Sequence, residues 1–389
     1  MTSRLEELIA ELCPNGVEYK KVKDTYLRIK GTPITASKMK EIASEDGEIR
    51  IFAGGKTVIN AHESDIPKAN ITRVPAVLVQ SRGVIDAVYY DKPFTFKNEM
   101  WAYTSNNPIR VKFLYYLLKN NIQYFRDAAS GMGSLPQISL HITEDFEIPV
   151  PPLEVQAEIV RILDTFTELT AELTAELTAR KKQYEYYRDT LLTFDDNNPL
   201  RSLISHYCLN GVEYKKIGDI AFISTGSKLS DIQESPSLYE YINAGTTNSG
   251  YSLDWNCDGD VVTTPSRGQG GIGYVGYQKN KFWLGPLCYK IAGNADFVLN
   301  KYLYYCLSNN SYAILSLKKD GGVPAINKSD LEELVLPVPP LEVQRQIVQI
   351  LDRFDSLCND LTQGLPAEIE ARRKQYEYYR DQLLTFKRA

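Results

Sequence analysis

The sequence has few of the residues that build metal sites, disulfide frameworks or membrane spans. It contains six cysteines and three histidines in 389 residues. No two cysteines form a CxxC pair, which argues against a zinc ribbon and a disulfide framework and favours a reducing cytoplasm. The histidines, at positions 62, 141 and 206, are too far apart in sequence for us to expect a multi-histidine metal site. No apolar run approaches the ~18 residues of a membrane span, and residues 1–16 are charged and amphipathic, so we expect a cytoplasmic protein.

Motifs of catalysis are also missing. The run Gly54-Gly55-Lys56-Thr57 resembles the end of a phosphate-binding loop, but position 50 is Arg where that loop requires Gly. There is no Asn/Asp-Pro-Pro-Tyr/Phe run of the kind found in amino-methyltransferases. Three isolated histidines do not suggest a Ser/His/Asp constellation, and no carboxylate cluster of a nuclease stands out. We therefore expect neither a catalytic site nor a metal site in this chain.

Tyrosine is abundant and the charge is unevenly distributed. The 26 tyrosines offer stacking faces with polar tips, which suit interfaces and nucleic acid as well as ordinary sheet packing. The net charge of −5 is concentrated at 151–198, which holds 5 basic and 10 acidic residues. Residues 17–150 instead hold 18 basic and 15 acidic residues, net +3. An acidic total therefore does not exclude local basic patches.

The chain is an internal duplication. Residues 15–21 (NGVEYKK) recur at 210–216, residues 151–156 (PPLEVQ) recur at 339–344, and residues 182–189 (KQYEYYRD) recur at 374–381. Weaker echoes relate Ser81-Arg82-Gly83 to Ser266-Arg267-Gly268, and residues 133–138 to residues 321–326. The period near 190 residues predicts two copies of one fold. Segments that are nearly identical in the two copies are typical of a scaffold, and segments that differ between the copies are typical of recognition surfaces.

Two long helices are predicted at the ends of the repeats. Apolar residues form one continuous helical stripe over 153–193 and a second over 341–385. Such helices need partners, so we expect them to pair with each other as an antiparallel coiled coil. Gly364 and Pro366 predict a kink or break in the second. Shorter helices are predicted at 109–120 and 298–309, and strands at 75–80 and 260–264.

The predicted fold class is α+β, with two similar mixed α/β domains separated by the helices in a pseudo-two-fold arrangement. The predicted division is a helical segment at 1–16, a first domain at 17–150, a central helix at 151–194, a linker at 195–211, a second domain at 212–338 and a C-terminal helix at 339–389.

These motifs resemble the specificity subunit of type I restriction–modification systems. The resemblance lies in PPLEVQ with its helix, in the ending RKQYEYYRD followed by LLTF, in the duplication, and in two TAEL units at 170–173 and 174–177. It covers essentially the whole chain. TAEL is a known spacer repeat of that family, and Gly364 and Pro366 depart from it in the second copy.

The resemblance implies that each of two target-recognition domains reads one half of a bipartite, asymmetric site in duplex DNA. It implies that the helices set the spacer and dock two methyltransferase subunits, and that restriction and translocase subunits complete the complex. S-adenosylmethionine, ATP and Mg²⁺ are expected in those partners and no cofactor in this chain, which would be non-catalytic and would contact no membrane.

The chemistry and position of several residues make them candidates for DNA binding. Arg82 and Arg267 follow predicted strands in Ser-Arg-Gly, and arginine can bind guanine or phosphate with two hydrogen bonds; buried pairing with a carboxylate is the alternative. Gln137 lies in the Leu/Val-Pro-x-Ile echo, opposite Ala325 in the second copy. The remaining candidates are Gln269, which can read adenine, and lysines and an arginine that can contact phosphates: Lys56, Arg73, Lys97, Lys318 and Lys319.

Tyrosines on the helices divide into two sets. Tyr184, Tyr187, Tyr376 and Tyr379 fall on the apolar stripes, which predicts helix packing, whereas Tyr186 and Tyr378 fall off them and are candidates for partner docking. Two other functions remain open from the residues alone. One is a tandem protein-interaction scaffold without DNA binding, and the weaker one is a self-contained methyltransferase.

Overall fold

The computed structural model describes residues 3–55, 57–66, 70–130, 135–319, 321–360 and 362–389. Contacts divide the chain into two compact units. Unit 1 comprises Met1–Leu173 with Ile369–Ala389, and unit 2 comprises Thr174–Glu368. The boundary in the central helix falls between the two TAEL units. Each unit therefore combines one domain of the duplication with parts of both long helices.

Unit 1 contains a mixture of short helices and strands ahead of the central helix. Its helices are α1 (Ser3–Leu12), α2 (Val22–Thr25), α3 (Ala36–Glu41), α4 (Pro108–Asn120), α5 (Ile122–Asp127) and α6 (Leu140–Glu144), with a 3-10 turn at Glu63–Asp65. Its strands are β1 (Tyr19–Lys21), β2 (Leu27–Ile29), β3 (Ile49–Phe52), β4 (Val58–Ala61), β5 (Ala76–Gln80), β6 (Asp86–Tyr90), β7 (Phe94–Phe96), β8 (Trp101–Thr104) and β9 (Glu147–Pro149).

The strands of unit 1 form three small sheets. The largest has the order β2-β8-β5-β6 with antiparallel neighbours. The second has the order β4-β3-β7 with β3 and β7 parallel, and β1 pairs with β9. Helix α4 starts at an Asn107 cap followed by Pro108, which suits the first helical position. Its buried face packs in one core with β5 and with the start of the long helix that follows.

Unit 2 repeats this plan after the central helix α7 (Leu153–Leu191). Its further helices are α8 (Arg201–Tyr207), α9 (Ile217–Ile220), α10 (Asn300–Asn309), α11 (Ser311–Ser316), α12 (Lys328–Glu332) and α13 (Leu341–Asn359). Its strands are β10 (Tyr214–Lys216), β11 (Ala221–Thr225), β12 (Tyr239–Ile242), β13 (Tyr251–Ser252), β14 (Val261–Pro265), β15 (Gly276–Gln278), β16 (Phe282–Leu284), β17 (Cys288–Gly293) and β18 (Val335–Pro337). The sheet orders β11-β17-β14-β15, β13-β12-β16 and β10-β18 match those of unit 1, so the duplicated sequence encodes a duplicated fold.

The long helices form as the apolar stripes predict. The central one is continuous over 39 residues, whereas the second is divided into α13 and α14 (Leu365–Leu383). The predicted break at Gly364 and Pro366 is confirmed, because α13 ends at Asn359. The Gly364 amide donates to the Asp360 carbonyl at 3.0 Å, and a Cβ at Gly364 would lie 2.6 Å from the Ser356 carbonyl oxygen. The turn therefore has no room for a side chain at this position.

The helices pair antiparallel within unit 1. Phe166 of α7 stacks on Tyr379 of α14 at 5.6 Å and meets the edge of Tyr376 at 6.4 Å. The end of α14 leads to residues beside β1, whose partner β9 leads into the start of α7. The two helices therefore run in opposite directions.

Unit 2 repeats this contact with the roles of the helices exchanged. Phe354 of α13 stacks on Tyr187 of α7 at 5.3 Å and lies 6.4 Å from Tyr184. The four tyrosines on the predicted stripes therefore pack between helices, as predicted.

A partly buried polar contact joins each domain to the long helix that follows it. In unit 1 the Tyr116 hydroxyl of α4 donates to Asp164 of α7 at 2.5 Å, and Lys112 pairs with the same carboxylate at 2.8 Å. In unit 2 the Tyr305 hydroxyl donates to Asp352 at 2.5 Å and Lys301 lies 3.5 Å away. Burial and the neighbouring carboxylate raise the pKa of both tyrosines.

We expect Tyr116→Phe to destabilise unit 1 by about 1–3 kcal/mol, because it removes a hydrogen bond to a charged group. Urea unfolding would measure the change, with Tyr186→Phe as the matched control, since Tyr186 lies on a long helix but is 65% exposed. Equal midpoints for the two variants would contradict a structural role for this contact.

The glutamines of the PPLEVQ blocks explain why that motif precedes each helix. Gln344 is fully buried, and its amide donates to the carbonyls of Pro339 at 2.7 Å and Phe297 at 2.8 Å. Its carbonyl accepts from Leu299 at 2.9 Å. Gln156 donates to Pro151 in the same way at 2.7 Å. The motif thus fixes the angle at which the extended Pro-Pro segment enters the helix.

Candidate functional site

Two of the weakly repeated segments, Ser81-Arg82-Gly83 and the segment that contains Gln137, lie next to each other in unit 1. Ser81 and Arg82 follow the buried strand β5, and Arg82 lies in an antiparallel bridge with Gln137. The Ile138 amide donates to the Ser81 carbonyl at 2.9 Å, and the Gly83 amide donates to the Pro136 carbonyl at 2.9 Å. Gln137 also exchanges two backbone hydrogen bonds with Ser130, at 2.9 and 3.1 Å.

Unit 2 contains the same arrangement at the matching positions. Arg267 follows β14 and bridges Ala325. The Ile326 amide donates to Ser266 at 2.9 Å, and the Gly268 amide donates to Pro324 at 3.0 Å. Ala325 exchanges hydrogen bonds with Lys319 at 2.9 and 3.3 Å. We call each three-segment arrangement a Ser-Arg-Gly module; the modules consist of residues 81–83, 130 and 136–138 in unit 1 and residues 266–268, 319 and 324–326 in unit 2.

Each module holds its arginine outward on a fixed backbone. Ser81 and Ser266 are buried at 0% and 8% exposure, whereas Arg82 and Arg267 are exposed. The following glycines have φ of +80° and +124°, a region that side chains disfavour. Within the part of the chain that the structure describes, neither guanidinium forms an ion pair. The alternative of a buried arginine paired with a carboxylate is therefore not what the structure shows.

Gln269 extends the module of unit 2. It is exposed between Gly268 and Gly270, both of which have positive φ. The letters Gly268-x-Gly270-x-x-Gly273 match a dinucleotide-binding fingerprint, but they lead into strand β15 and not into a helix. A helix N-terminus for a pyrophosphate is therefore missing from this described loop, and the loop displays Gln269 beside Arg267.

The lysines and Arg73 are placed less uniformly. Lys97 is partly buried and pairs with Glu99 at 3.0 Å, and the Glu99 carboxylate lies 3.4 Å from the amide of Gly54, next to the loop that contacts the Arg82 carbonyl. Arg73 pairs with Glu63 at 2.5 Å, and no described contact places it in the module. Both charges are thus already balanced by carboxylates.

The candidates in the second domain sit at the module itself. The Lys319 backbone belongs to the module of unit 2, its ammonium pairs with Asp330 at 2.7 Å, and Lys318 is exposed beside it. Lys56 lies outside the described residues.

Two apolar residues at the modules were not among the sequence-based candidates. Leu135 is 53% exposed and Val323 is 56% exposed, at equivalent positions one residue before the module prolines. Leu135 lies near Gly83, where a Cβ would meet it at 3.8 Å. The repeat of an apolar residue before proline in both copies could have indicated these positions. Apolar residues are more often buried than exposed, however, so the repeat did not mark them as surface residues.

The off-stripe tyrosines are displayed on the long helices. Tyr186 is 65% exposed and Tyr378 is 61% exposed. Each ring meets the edge of its on-stripe neighbour, Tyr187 at 5.6 Å and Tyr379 at 5.4 Å, which limits the freedom of the exposed ring. The two positions are equivalent in the duplication, and docking of a partner there stays a prediction.

The described residues contain neither a candidate metal site nor a candidate membrane span. Among them, no group of three or more His, Cys, Asp or Glu residues is placed to hold a metal ion. No helix in these residues is both long and apolar enough to span a membrane.

Comparisons with known proteins agree on one family. The family model described as "Type I restriction modification DNA specificity domain" matches twice, at residues 14–180 and 210–371. The chain is 32% identical over 357 residues to the type I restriction enzyme EcoR124I/EcoR124II specificity subunit of Escherichia coli, covering 87% of each chain. It is 29% identical over 313 residues to the type I restriction enzyme MpnII specificity subunit of Mycoplasma pneumoniae, covering 65% of this chain and 92% of that one.

Solved structures share the fold. The S subunit of a type I restriction–modification system from M. genitalium superposes with a TM-score of 0.70 at 19% identity, covering 95% of this chain and 97% of that one. A chain from a structural study of complex assembly and conformational transition in a type I system gives a TM-score of 0.50 at 16% identity. With two matched domains that span most of its length, the chain belongs to the family of type I restriction–modification DNA specificity subunits.

Proposed function

We propose that this chain is the DNA-reading, non-catalytic subunit of a type I complex, in which each unit reads one half of a bipartite duplex site. The observation that carries the proposal is the Ser-Arg-Gly module, which occurs once in each unit with the same backbone hydrogen bonds and different neighbouring side chains. A common backbone frame can place an arginine at the same position relative to the DNA in both units. The neighbouring residue, Gln137 or Ala325, and the adjacent loop differ between the units and can recognise different base sequences.

The partners proposed here follow from family membership. Two methyltransferase subunits would dock on the long helices, where Tyr186 and Tyr378 are displayed at equivalent positions. Restriction and translocase subunits would complete a cytoplasmic complex. S-adenosylmethionine, ATP and Mg²⁺ would be bound by those partners and not by this chain.

Arginine variants of the modules test the proposal. The assembled methyltransferase complex is titrated onto duplex DNA carrying its site, in gel shifts at several salt concentrations. We expect Arg82→Ala and Arg267→Ala each to weaken binding about 10-fold, since one lost contact to a base or phosphate is worth about 1–3 kcal/mol. A phosphate contact would lower the slope of log K against log salt by about 1, whereas a base contact would relax specificity at one position.

Arg73→Ala is the matched control, because Arg73 is exposed in the same domain but pairs with Glu63. Wild-type affinity in both module variants would refute the module as the reading element. Absence of DNA binding by the whole complex at low salt would favour the protein-interaction scaffold.

A further inference from the structure

In unit 1, residues 387–389 cover the backbone edge at Val17, two residues ahead of strand β1. The Val17 amide donates to the Lys387 carbonyl at 2.9 Å, and the Ala389 amide donates to the Val17 carbonyl at 3.0 Å, so that 387–389 runs parallel to the chain at Val17. Val17 is 4% exposed beneath this segment. The contact is close, because a Cβ on Gly16 would lie 2.5 Å from the Lys387 carbonyl oxygen.

Side chains of the tail also bind the face of the β1–β9 pair. The Tyr19 hydroxyl donates to the Phe386 carbonyl at 2.9 Å, and the Arg388 guanidinium lies 4.5 Å from the centre of the Tyr19 ring. Arg388 also forms an ion pair with Glu147. The tail thus pairs with Val17 through one β-bridge and places one cation between an aromatic ring and a carboxylate.

In unit 2, no segment among the described residues pairs with the equivalent edge, which is called the bare edge. Val212 corresponds to Val17 at an offset of 195, yet it is only partly buried, and its backbone makes no hydrogen bond in the described chain. A Cβ on Gly211, the counterpart of Gly16, would meet no atom within 4 Å. Tyr214, the counterpart of Tyr19, is 61% exposed.

The reason lies in the sequence after the first long helix. Where the second copy ends in Thr-Phe-Lys-Arg-Ala, the first reads Thr-Phe-Asp-Asp-Asn at 193–197. The Asp195 side chain accepts from the Asn197 amide at 2.9 Å, and the Asp195 carbonyl accepts from the Asn198 amide at 3.2 Å. This turn directs the chain into α8, so these residues do not pair with Val212.

The bare edge also differs in chemistry from the filled one. Glu147 corresponds to Val335, which pairs with Lys216 as Glu147 pairs with Lys21. Tyr214 and Val335 therefore lie on the same face of the β10–β18 pair, and Val335 is 50% exposed. An arginine at the position of Arg388 would find Val335 here in place of the Glu147 carboxylate, whereas an aliphatic side chain would cover two exposed apolar groups.

We propose that this edge of unit 2 binds an extended segment of a partner protein, which pairs parallel to Val212 and places an aliphatic side chain over Tyr214 and Val335. Strand addition to a free edge is a common mode of peptide recognition, in which the backbone gives affinity and pockets give selectivity. A second copy of this chain fits poorly, because its own tail carries arginine at that position and is held in unit 1.

Two labelled peptides test the site by fluorescence anisotropy with the full chain. One has the tail sequence Leu383–Ala389, and the other is identical except for Arg388→Leu. We expect the leucine peptide to bind at one site per chain, about five-fold tighter than the arginine peptide, because it buries apolar surface on Tyr214 and Val335. In the Val335→Glu chain the preference should reverse, since this variant restores the carboxylate found in unit 1.

Val212→Pro removes the edge amide and should abolish binding of the leucine peptide. Val335→Glu, a substitution at an exposed position, keeps the test valid if the proline variant fails to fold. Absence of binding, equal affinity for both peptides, or no change of preference in Val335→Glu would each overturn the proposal. Self-association of the chain that is lost on deleting 387–389 would assign the edge to a second copy and would also overturn it.

Discussion

Exchanging residues 17–150 for the corresponding domain of a relative should replace one half of the DNA target and leave the other half unchanged. The exchanged segment contains both strands of the β1–β9 pair and the complete module of unit 1, so these contacts move together. Two groups outside the exchanged segment would contact the new domain. The Asp164 carboxylate accepts the hydrogen bond from α4, and the Lys387 carbonyl accepts the hydrogen bond from the amide of residue 17. A donor that keeps a lysine and a tyrosine at positions 112 and 116 should dock correctly.

Methylome sequencing of a host carrying the complete system measures this outcome directly. The reciprocal exchange of residues 212–338 is the matched control, and it should replace the opposite half-site. A chimera that alters both half-sites would contradict independent reading by the two units. A chimera that methylates nothing while its Asp164 contact is preserved would contradict the assignment of readout to 17–150.

Inserting a third TAEL unit after Leu177 should lengthen the spacer between half-sites by one base pair. Four residues are close to one helical turn, so the apolar stripe stays nearly in register. The insertion adds ~6 Å of helix and a residual rotation of ~40°. The residual rotation is close to the DNA twist of about 35° for one base pair. The added length of helix is closer to the rise of two base pairs, at about 3.4 Å each. Each domain must keep facing its DNA groove in order to read bases, whereas a small bend of the helices can absorb the extra length. We therefore expect the rotation, and not the added length, to set the new spacer.

The structure makes this region suitable for insertion. Ala171, Glu172 and residues 174–176 are exposed, so an added turn disturbs few packed side chains. The second copy already contains four more residues between Leu341 and Phe386 than the first contains between Leu153 and Phe194. Its helix is divided into α13, which ends at Asn359, and α14, which begins at Leu365, so its greater length does not form an uninterrupted extra turn. Extra length in the second copy is thus accommodated by a break.

A two-residue insertion at the same place is the control. It rotates the stripe by roughly 200°, so the distal half of α7 would lose its packing partner and the protein should unfold or lose activity. Methylated sites are sequenced for both variants. An unchanged spacer in the four-residue variant would contradict the role of the helix in setting the distance.

The sequence was informative where local pattern and repetition determine structure. The apolar stripes predicted α7 and the packing of Tyr187 and Tyr379, because helical periodicity directly reports which side is buried. The break in the second helix was predicted separately, from Gly364 and Pro366. The echo of Ser81–Gly83 at 266–268 predicted a shared frame. It could not predict that this segment pairs with residues 136–138, because backbone pairing over 55 residues leaves no periodic signal.

Contacts between distant charged or polar residues could not be predicted. Asp164 is one of many acidic residues on α7, and only the fold selects it as the partner of Tyr116. Arg73 and Lys97 looked equivalent to other cations, but loop geometry brings Glu63 and Glu99 to them. Leu135 and Val323 were overlooked because exposure of an apolar residue depends on how its loop is anchored.

The composition of unit 1 has a consequence for protein synthesis. Leu383 and Leu384 lie in the same core as Leu5 and Val17, so unit 1 begins ahead of unit 2 in the chain but is completed after it. Until residues 383–384 are translated, the incomplete core of unit 1 exposes apolar surface that attracts chaperones and proteases. A stop codon just ahead of Leu383 should therefore damage unit 1, which holds the amino-terminal domain, more than unit 2.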